Sequence, residues 1–439
     1  MNVFVAEVAL VDGKRVEKLA LRVDEGRIVA RGTVAEIAGE GDRVVDLGRR
    51  AILPGTVNAH NHSFQSLLRG FGDDLPFLEW RDRALYRYSP AIVARGADGV
   101  YTGALFAFAE MALHGVTTVC DFFYLNDGDN ANARRVIDAA RDVGMRVVLA
   151  RCFYDWAGAP AVYRETPDEA TRRFAELHRA FADSPTVTVQ AAPHSLHGAS
   201  PAMIRAGVQA ARAAGARWHV HLAEEKYQVG EAMARYGTTP LRALDGMGLV
   251  GPDMVAVHGC WFDEGERALL AERGGALAYN AGSNMFLGDG VTDVCDLDGR
   301  GVRIGLGTDG GCSNSRVSVL DEMRSCALLQ KVTKLDGQAL GAERAFHFGT
   351  AGGADVLGLP VGRLAVGERA DFVAVDLDDP SLWPEQSLAK NVVYAMSSRA
   401  VTDVFVEGEA IVRDRRLARV ELQEVRRRVR ELTRDWRRE

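Results

Sequence analysis

The chain has 439 residues, 47% of them hydrophobic, which is enough for one large core and a smaller accessory unit. Its 53 basic and 60 acidic residues give a net charge of -7 with no long basic block, so nucleic acid is not expected as a partner. No uncharged apolar stretch reaches the ~18 residues of a membrane span, and the start MNVFVAEVALVDGKRVEK lacks the features of a secretory signal. We therefore expect a cytoplasmic protein that does not enter the membrane. Its six cysteines, which lack disulfide-framework spacing, are predicted to be reduced packing residues.

The two ends of the chain share one kind of pattern. Residues 1–53 alternate short β-type runs with Gly/Asp turns, which is typical of a twisted antiparallel sheet. Short β-type runs return after residue 360, in ADFVAVDLD and DVFVEGEAIV. We therefore predict one small β-sandwich domain formed by residues 1–53 and 361–418. Residues 419–439 are predicted to form a charged surface helix with Glu/Arg pairs at i,i+4 spacing.

Residues 54–360 have a different pattern, in which continuous apolar runs alternate with segments of helical period. Such runs indicate buried parallel strands with crossover helices, and eight of them predict an α/β fold of the closed (β/α)8 barrel type. Between the fourth and fifth runs, Ser200 and Pro201 predict a helix start and Gly215 its end. The candidate strands are residues 52–60, 116–124, 146–152, 187–193, 217–222, 254–258, 276–280 and 303–308.

Potential metal ligands and general bases close several of these strands, at the barrel end where active sites lie. His60 and His62 end the first strand, and because side chains alternate they point to the same side and can share one metal ion. Each further residue taken alone has a simpler interpretation, as a core histidine or a turn aspartate. Their joint occurrence predicts a metal site, and because no cysteine holds a strand-end position we expect a catalytic metal and not a closed structural zinc. These further residues are His219, His221 and Glu224 at or just past the end of strand 5, His258 at the end of strand 6 and Asp309 at the end of strand 8.

Four motifs carry a family resemblance over nearly the whole chain: LPGTVNAHNH, HLAE, GTDG and GRLAVGERADFVAVD. With them the sequence resembles the amidohydrolase superfamily. Within it, the chain is similar to the aminohydrolase branch of chlorohydrolases, methylthioadenosine/adenosylhomocysteine deaminases, guanine-type deaminases and formimidoylglutamate deiminases. The motifs are specific for the superfamily and much less so for the substrate.

The resemblance implies a single Zn²⁺, or another divalent ion such as Fe²⁺, held by His60, His62, His221 and Asp309. It gives no ligand role to His219, and the fourth strand, ending QAAPHSLHG, lacks the lysine or glutamate that would bridge two metals. It also implies three catalytic residues: Glu224 as proton shuttle, His258 as the partner of the metal-bound water, and Asp309 as acceptor of its proton.

The implied reaction begins with water activated by the metal, which lowers its pKa from about 15.7 to roughly 7. The resulting hydroxide attacks an amidine-like C=N carbon, and Glu224 protonates the nitrogen that leaves as ammonia. The substrate is expected to be a small molecule.

Two substrate classes remain open. Gln65, Arg81, Tyr124 and His194 match positions that surround the substrate in formimidoylglutamate deiminases, although Arg81 has an equal alternative as a surface ion-pair residue. The match fails at His197, where those enzymes have an arginine that helps to bind a substrate carboxylate. Histidine cannot form the bidentate hydrogen bonds that arginine makes to a carboxylate. The segment GTDGGCSNSRVSVLDEMR is more similar to purine-nucleoside and chlorohydrolase members. We therefore keep formimino compounds and amino-substituted N-heterocycles (purines, pterins, triazines) as alternatives.

The long segment after strand 1 is predicted to form a lid or pocket wall. For a heterocycle, we expect its aromatic residues Phe64, Phe77 and Trp80 to stack on the ring, with His194 and Gln65 bonding the ring edge. A second possible enzymatic activity is hydrolysis of a ring amide or removal of a halide. A noncatalytic scaffold of the same fold is a remote third alternative, since such scaffolds characteristically lose metal ligands and this chain retains all four candidates. Homo-oligomerisation is left open.

Overall fold

The computed structural model describes residues 1–126 and 130–436. Strands from both chain ends form a four-stranded and a seven-stranded sheet, and eight central strands form a third sheet. Before the barrel lie β1 (Asn2–Val5), β2 (Val8–Val11), β3 (Lys14–Glu17), β4 (Ala20–Asp24), β5 (Arg27–Gly32), β6 (Arg43–Asp46) and β7 (Arg50–Pro54). The central strands are β8 (Thr56–Asn61), β9 (Val116–Phe123), β10 (Arg146–Phe153), β11 (Val187–Pro193), β12 (Trp218–Leu222), β13 (Met254–His258), β14 (Ala276–Tyr279) and β15 (Arg303–Leu306). After the barrel follow β16 (Phe372–Asp376), β17 (Val401–Val406), β18 (Glu409–Arg413) and β19 (Arg416–Leu417).

The two smaller sheets, with strand orders β5-β4-β1-β6 and β19-β18-β17-β16-β7-β2-β3, form the predicted sandwich. Three buried rings pack between them, with the centroid of Phe4 5.1 Å from those of Phe372 and Phe405. One detail of the prediction is wrong: the first 53 residues divide between two sheets, and β1–β6 and β2–β7 pair in parallel. Alternation along a strand reports which face is buried but not which strand lies beside it.

The eight central strands are parallel and run in the order β8 to β15, which confirms the barrel fold. The first and last strands are joined by the backbone N–H of Asp309, which donates to the carbonyl of His60 at 3.0 Å. Beside this bond, the amide of Asn58 binds both the backbone N–H and the hydroxyl of Thr308. The barrel therefore closes next to the residues expected to hold a metal.

The predicted first strand, residues 52–60, is in fact two strands. Its beginning belongs to β7 of the sandwich and its end to β8 of the barrel, and the chain passes between them at Gly55. A Cβ atom at Gly55 would lie only 2.2 Å from the hydroxyl of Thr117, so the crossing needs glycine. Both strands are buried and apolar, so the sequence contains no sign of the division.

Helices surround the barrel, and the helix opened by Ser200 is confirmed, since the Ser200 hydroxyl accepts a hydrogen bond from the Met203 N–H at 3.2 Å. Up to the barrel's third strand the helices are α1 (Val34–Ile37), α2 (Phe77–Trp80), α3 (Arg87–Ala94), α4 (Ala97–Leu113) and α5 (Ala131–Val143). They continue with α6 (Pro167–Ala180), α7 (Pro201–Ala213), α8 (Lys226–Tyr236), α9 (Pro240–Gly246), α10 (Glu264–Glu272), α11 (Ala281–Leu287) and α12 (Val294–Gly299). The last are α13 (Val319–Lys334), α14 (Ala342–His347), α15 (Gly353–Leu357), α16 (Leu388–Tyr394) and α17 (Leu422–Leu432). Short 3-10 or π turns cover Ser63–Leu68, Arg81–Tyr86, Ala161–Tyr163, Phe348–Gly352, Pro380–Leu382 and Ser398–Ala400.

The predicted C-terminal helix corresponds to α17, and its Glu/Arg pairs at i,i+4 spacing are confirmed for Arg427 with Glu431 and Arg428 with Glu424. The end of the predicted range, 437–439, lies outside the described residues. In residues 1–126 and 130–436, no helix combines the length and the apolar character needed to cross a membrane.

Candidate active site

The carboxyl ends of the barrel strands bring four expected ligands together. His60 on β8 and His62, the residue just after its end, point to the same side, and their ring centroids lie 4.7 Å apart. His221 from β12 and Asp309 after β15 reach the same point from other parts of the barrel. All four side chains are buried.

The rings of His62 and His221 face each other with unprotonated nitrogens. Nδ1 of His62 lies 2.6 Å from the carbonyl of Phe122, and Nδ1 of His221 lies 2.9 Å from the carbonyl of His194. A carbonyl only accepts, so each Nδ1 carries the proton and each Nε2 is bare. Burial lowers the pKa of His62 to about 4, so the ring is neutral at pH 7. Two lone pairs 3.2 Å apart need a cation between them.

Asp309 and His60 complete a donor set that fits zinc. Oδ1 of Asp309 lies 3.3 Å from Nε2 of His62 and 3.5 Å from Nε2 of His60, and both nitrogens of His60 lack a hydrogen-bond partner despite full burial. Ligand atoms in a tetrahedral zinc site with bonds of about 2.0–2.1 Å lie roughly 3.3 Å apart. In metal sites, the histidine ring nitrogen that does not bind the metal commonly donates to a backbone carbonyl, which orients the ring. Nδ1 of His62 and Nδ1 of His221 have this kind of partner.

Asp309 is fixed in a form suited to binding a cation. The hydroxyls of Ser283 and Ser313 donate to its Oδ2 at 2.7 and 3.0 Å, which leaves Oδ1 directed at the histidines. Burial works to raise the pKa of Asp309, but the neighbouring imidazoles of His60 and His62 lower it well below its usual range.

Glu224 and His258 lie beside this cluster, with Oε1 of Glu224 3.4 Å from Nε2 of His258. Gln228 restrains Glu224, since its side-chain oxygen accepts from the Glu224 backbone N–H at 3.0 Å. Burial raises the pKa of Glu224 well above its usual value, and the charges of Asp289 and Asp309 raise it further. A carboxyl group of this kind can hold and release a proton near neutral pH.

His219, which was left out of the expected ligand set, points away from the cluster. Its Nε2 lies 2.6 Å from the side-chain oxygen of Gln190, whose amide nitrogen binds the carbonyl of Leu357. His219 is therefore a hydrogen-bonded core histidine.

Gln65 and Tyr124 form one wall of the pocket. The amide nitrogen of Gln65 donates to the Tyr124 hydroxyl at 2.6 Å, and the thiol of Cys312 donates to the Gln65 oxygen at 3.3 Å. A Cβ at Gly310 would lie 1.7 Å from that oxygen, so glycine is required beside Gln65. Cys312, expected only to pack, thus also helps to orient a pocket residue.

His194 and His197 line the pocket next to Arg81. The guanidinium group of Arg81 binds Asp82 at 2.8 Å and lies over the ring of Tyr86, 4.7 Å from its centroid. Burial, together with the charge of Arg81, lowers the pKa of His197 to about 4, so His197 is neutral at pH 7. His197 therefore does not replace the charge of the missing arginine.

The pocket has a narrow inner cavity of about 60 Å³ and an outer cleft of about 520 Å³, which share Arg81, His197 and His221 as lining residues. Phe77 and Trp80 line the inner cavity, as expected for the segment after strand 1. The expectation for Phe64 is wrong: its ring is fully buried behind the ring of Tyr124, at a centroid distance of 5.0 Å. A 3-10 turn over Ser63–Leu68 sets its direction.

Sequence reasoning missed a group of polar residues after β14. The amide nitrogens of Asn284 and Asn280 lie 3.0 and 3.3 Å from Nδ1 of His258, and Asn284 also binds Asp289. The sequence signal is the run YNAGSN, which closes strand 7 as HNH closes strand 1. It was overlooked because asparagine is not a typical zinc ligand.

Comparison with known proteins agrees with this geometry. The profile of the Amidohydrolase family matches residues 51–411. The 5-methylthioadenosine/S-adenosylhomocysteine deaminase of Syntrophobacter fumaroxidans is 35% identical over 428 residues, covering 96% of this chain and 94% of that protein. The 5'-deoxyadenosine deaminase of Methanothermobacter thermautotrophicus is 31% identical over 413 residues, covering 94% and 93%.

Solved structures share the fold. An adenosine deaminase from Xanthomonas campestris with bound zinc is 29% identical and superposes with a TM-score of 0.91 over 98% of this chain and 97% of its own. The atrazine chlorohydrolase of Arthrobacter aurescens, 23% identical, superposes with a TM-score of 0.90 over 98% and 100%. The chain therefore belongs to the amidohydrolase family, as its motifs indicated, and is a hydrolase that acts on carbon–nitrogen bonds other than peptide bonds.

Proposed function

We propose that the chain is a zinc-dependent deaminase that removes the amino group of an aminopurine nucleoside and releases ammonia. The observation that carries this proposal is the position of the Glu224–His258 pair beside the metal-ligand cluster, at the bottom of an aromatic-lined cavity that opens into a wider cleft. A flat ring fits between aromatic walls, and the outer cleft offers space for a sugar and its substituent.

His60, His62, His221 and Asp309 are the residues that would hold the metal. When bound, zinc supplies a Lewis acid that lowers the pKa of water to about 7. Asp309, whose low pKa keeps it ionised, is the residue next to the reacting centre that can accept a proton.

Glu224 would carry the proton that the departing amino group needs. Its raised pKa favours the protonated form relative to an exposed glutamate, and Gln228 holds it in place. His194 would offer a donor to the ring: the Ser195 hydroxyl, which accepts from the Gly198 N–H at 2.9 Å, can donate to Nδ1 of His194 at 2.8 Å and leave the proton on Nε2.

Two findings favour a heterocycle over formimidoylglutamate. Among the described residues that line the inner cavity, Arg81 is the only lysine or arginine, and it already pairs with Asp82. A substrate with two carboxylates would therefore leave one without a charged partner, and a charge-assisted bond contributes roughly 1.5–3 kcal/mol. The named purine-nucleoside deaminases among the similar proteins support the same choice.

The test is a substrate panel scored by ammonia release. It includes adenosine, 5'-deoxyadenosine, methylthioadenosine, S-adenosylhomocysteine, an aminopterin, an aminotriazine, formimidoylglutamate and a formimino compound without the second carboxylate. We expect kcat/KM of about 10⁴ M⁻¹s⁻¹ or more for at least one nucleoside. Equal or better turnover of formimidoylglutamate would contradict the substrate class, and no ammonia from any compound with zinc bound would contradict deamination itself.

A further inference from the structure

His258 has contacts on both ring nitrogens that define where its proton lies. Nδ1 is 3.0 Å from the amide nitrogen of Asn284 and 3.3 Å from that of Asn280, while Nε2 is 3.4 Å from Oε1 of Glu224. An amide NH2 group only donates, so an Nδ1 that faces two of them must be a bare acceptor. An imidazole with one bare nitrogen is neutral and carries its single proton on the other nitrogen. That proton is on Nε2.

Asp289 sets the orientation of the Asn284 amide. The same amide nitrogen that faces His258 lies 2.9 Å from Oδ2 of Asp289, so its two hydrogens serve two acceptors. With the amide turned by 180°, its oxygen would face Oδ2 of Asp289, and two acceptors would meet with no hydrogen between them whenever Oδ2 carries no proton. A buried polar contact of that kind costs about 1–3 kcal/mol.

The local chain holds Asp289 in this place. Helix α11 ends at Leu287 and is capped by Gly288, which has a left-handed φ of 75°. The next backbone N–H, that of Asp289, donates to the carbonyl of Asn284 at 3.0 Å. The indole N–H of Trp261 donates to the Asp289 carbonyl at 2.8 Å. The Asp289 side chain is buried, so water does not compete for its oxygens.

Protonation of Asp289 does not change this arrangement. Burial is the main cause that raises the pKa of Asp289 to about 9, while the hydrogen bond from Asn284 acts to lower it. A proton on Oδ1 of Asp289, which has no hydrogen-bond partner, leaves Oδ2 as the acceptor for Asn284, and the Asn280 amide still presents a donor to Nδ1 of His258.

His258 is thus the opposite tautomer to two of the ligand histidines. His62 and His221 carry their protons on Nδ1 and present bare Nε2 atoms, as zinc requires. We infer that Asn284, oriented by Asp289, keeps the proton of His258 on Nε2, which excludes this ring from the metal and makes it an N–H donor directed at Glu224 and the reacting water. This inference deepens the proposed function and rests on it for its catalytic meaning, and it makes Asn284 and Asp289 positioning residues.

Nitrogen NMR tests the tautomer without substrate or metal. Metal-free protein labelled with ¹⁵N-histidine is examined at neutral pH by long-range ¹H–¹⁵N correlation, and the His258 signal is assigned from its loss in His258→Gln. We expect His258 as the Nε2–H tautomer, with His62 and His221 as Nδ1–H tautomers in the same spectrum. An Nδ1–H tautomer for His258 in the wild-type protein would overturn the inference.

Asn284→Asp tests the role of the amide, because a carboxylate beside Nδ1 accepts a hydrogen bond and does not donate one. We expect the His258 signal to move to an Nδ1-protonated form, while unchanged His62 and His221 signals show that the site is still folded. In the metal-loaded enzyme, kcat should fall about 10- to 100-fold with little change in KM. An unchanged His258 tautomer in this variant would refute the role of Asn284.

Asp293→Asn is the matched control. Asp293 lies four residues from Asp289 but binds the exposed Lys334 and the start of α12, away from the pocket. We expect the histidine tautomers and the kcat of this variant to match those of the wild type. A fall in kcat as large as that expected for Asn284→Asp would show that the effect is not specific to Asn284. If no panel compound is deaminated while the tautomers are as expected, the proposed function fails and the assignment of the His258 proton stands.

Discussion

Nε2 of His62 lies 3.2 Å from Nε2 of His221, and neither nitrogen carries a proton. The backbone carbonyls of Phe122 and His194 accept the Nδ1 protons, so strand β9 and the residue after β11 fix the tautomers of two candidate ligands that follow β8 and lie on β12. The fold thus places two nitrogen lone pairs close together in the absence of a cation. A metal ion relieves this repulsion, which couples metal binding to the stability of the barrel.

Removing the metal is expected to destabilise the protein and abolish activity. We predict about one zinc or similar ion per chain by elemental analysis, and a lower unfolding temperature after chelation, since a ligand at 100 times its Kd contributes about 2.7 kcal/mol. His221→Ala should lose the ion. His178→Gln, on α6 away from the site, is the control that should keep it. Full activity in metal-free protein would contradict the metal assignment.

Glu224→Gln should retain the metal and lose turnover. The amide is nearly the same size as the carboxyl group but cannot shuttle a proton, so we expect kcat to fall about 10²- to 10⁴-fold. Metal content and ammonia release are measured on the same sample. Loss of zinc would mean that Glu224 is a ligand, and unchanged turnover would mean that another group carries the proton.

Gly310→Ala should disturb the pocket through Gln65. The new methyl group would lie 1.7 Å from the Gln65 side-chain oxygen, so Gln65 must leave its hydrogen bond with Tyr124. A displacement of about 1 Å in a positioned group can cost about 10²-fold in rate, which we expect in kcat/KM. Gly299→Ala, where the added atom has no neighbour within 4 Å, should behave like the wild type. Retained metal would show that only Gln65 has moved, whereas loss of metal would show that the neighbouring Asp309 is displaced as well. A fully active Gly310→Ala enzyme would refute the role of Gln65.

Glu322 is expected to make stability depend on pH. Burial raises its pKa to about 7, although the Gly282 N–H and the Asn314 amide both donate to it. The folded protein therefore binds a proton that the unfolded chain releases near pH 4.5. This stabilisation is complete below pH 4.5 and is lost as the pH rises through 7, by about 3 kcal/mol in all.

Glu322→Gln removes the titrating group and should flatten the pH dependence of the free energy of unfolding between pH 4.5 and 7. The glutamine cannot accept from both donors, which lowers the stability of the variant but adds no titration of its own, so the slope and not the absolute stability is the readout. Denaturant unfolding across this range measures it. Parallel curves for the variant and the wild type would contradict the raised pKa.

The sequence by itself determined the barrel and the candidate ligand residues. Apolar runs separated by helices record burial on both strand faces, and seven of the eight strands lie within one or two residues of their predicted positions. His60 and His62 share a side because of strand alternation, which is a local property of the backbone. Strand ends converge in any closed barrel, so His221 and Asp309 were also accessible from the pattern.

The tertiary structure alone decided the features that depend on distant neighbours. The passage from sandwich to barrel at Gly55 leaves no mark in the local pattern, because both strands are equally apolar. The direction of Phe64 follows from a short turn, and the protons of His62 and His258 follow from partners on other elements. A histidine's tautomer depends on which donors and acceptors face its two nitrogens, and residues far apart in the sequence supply them.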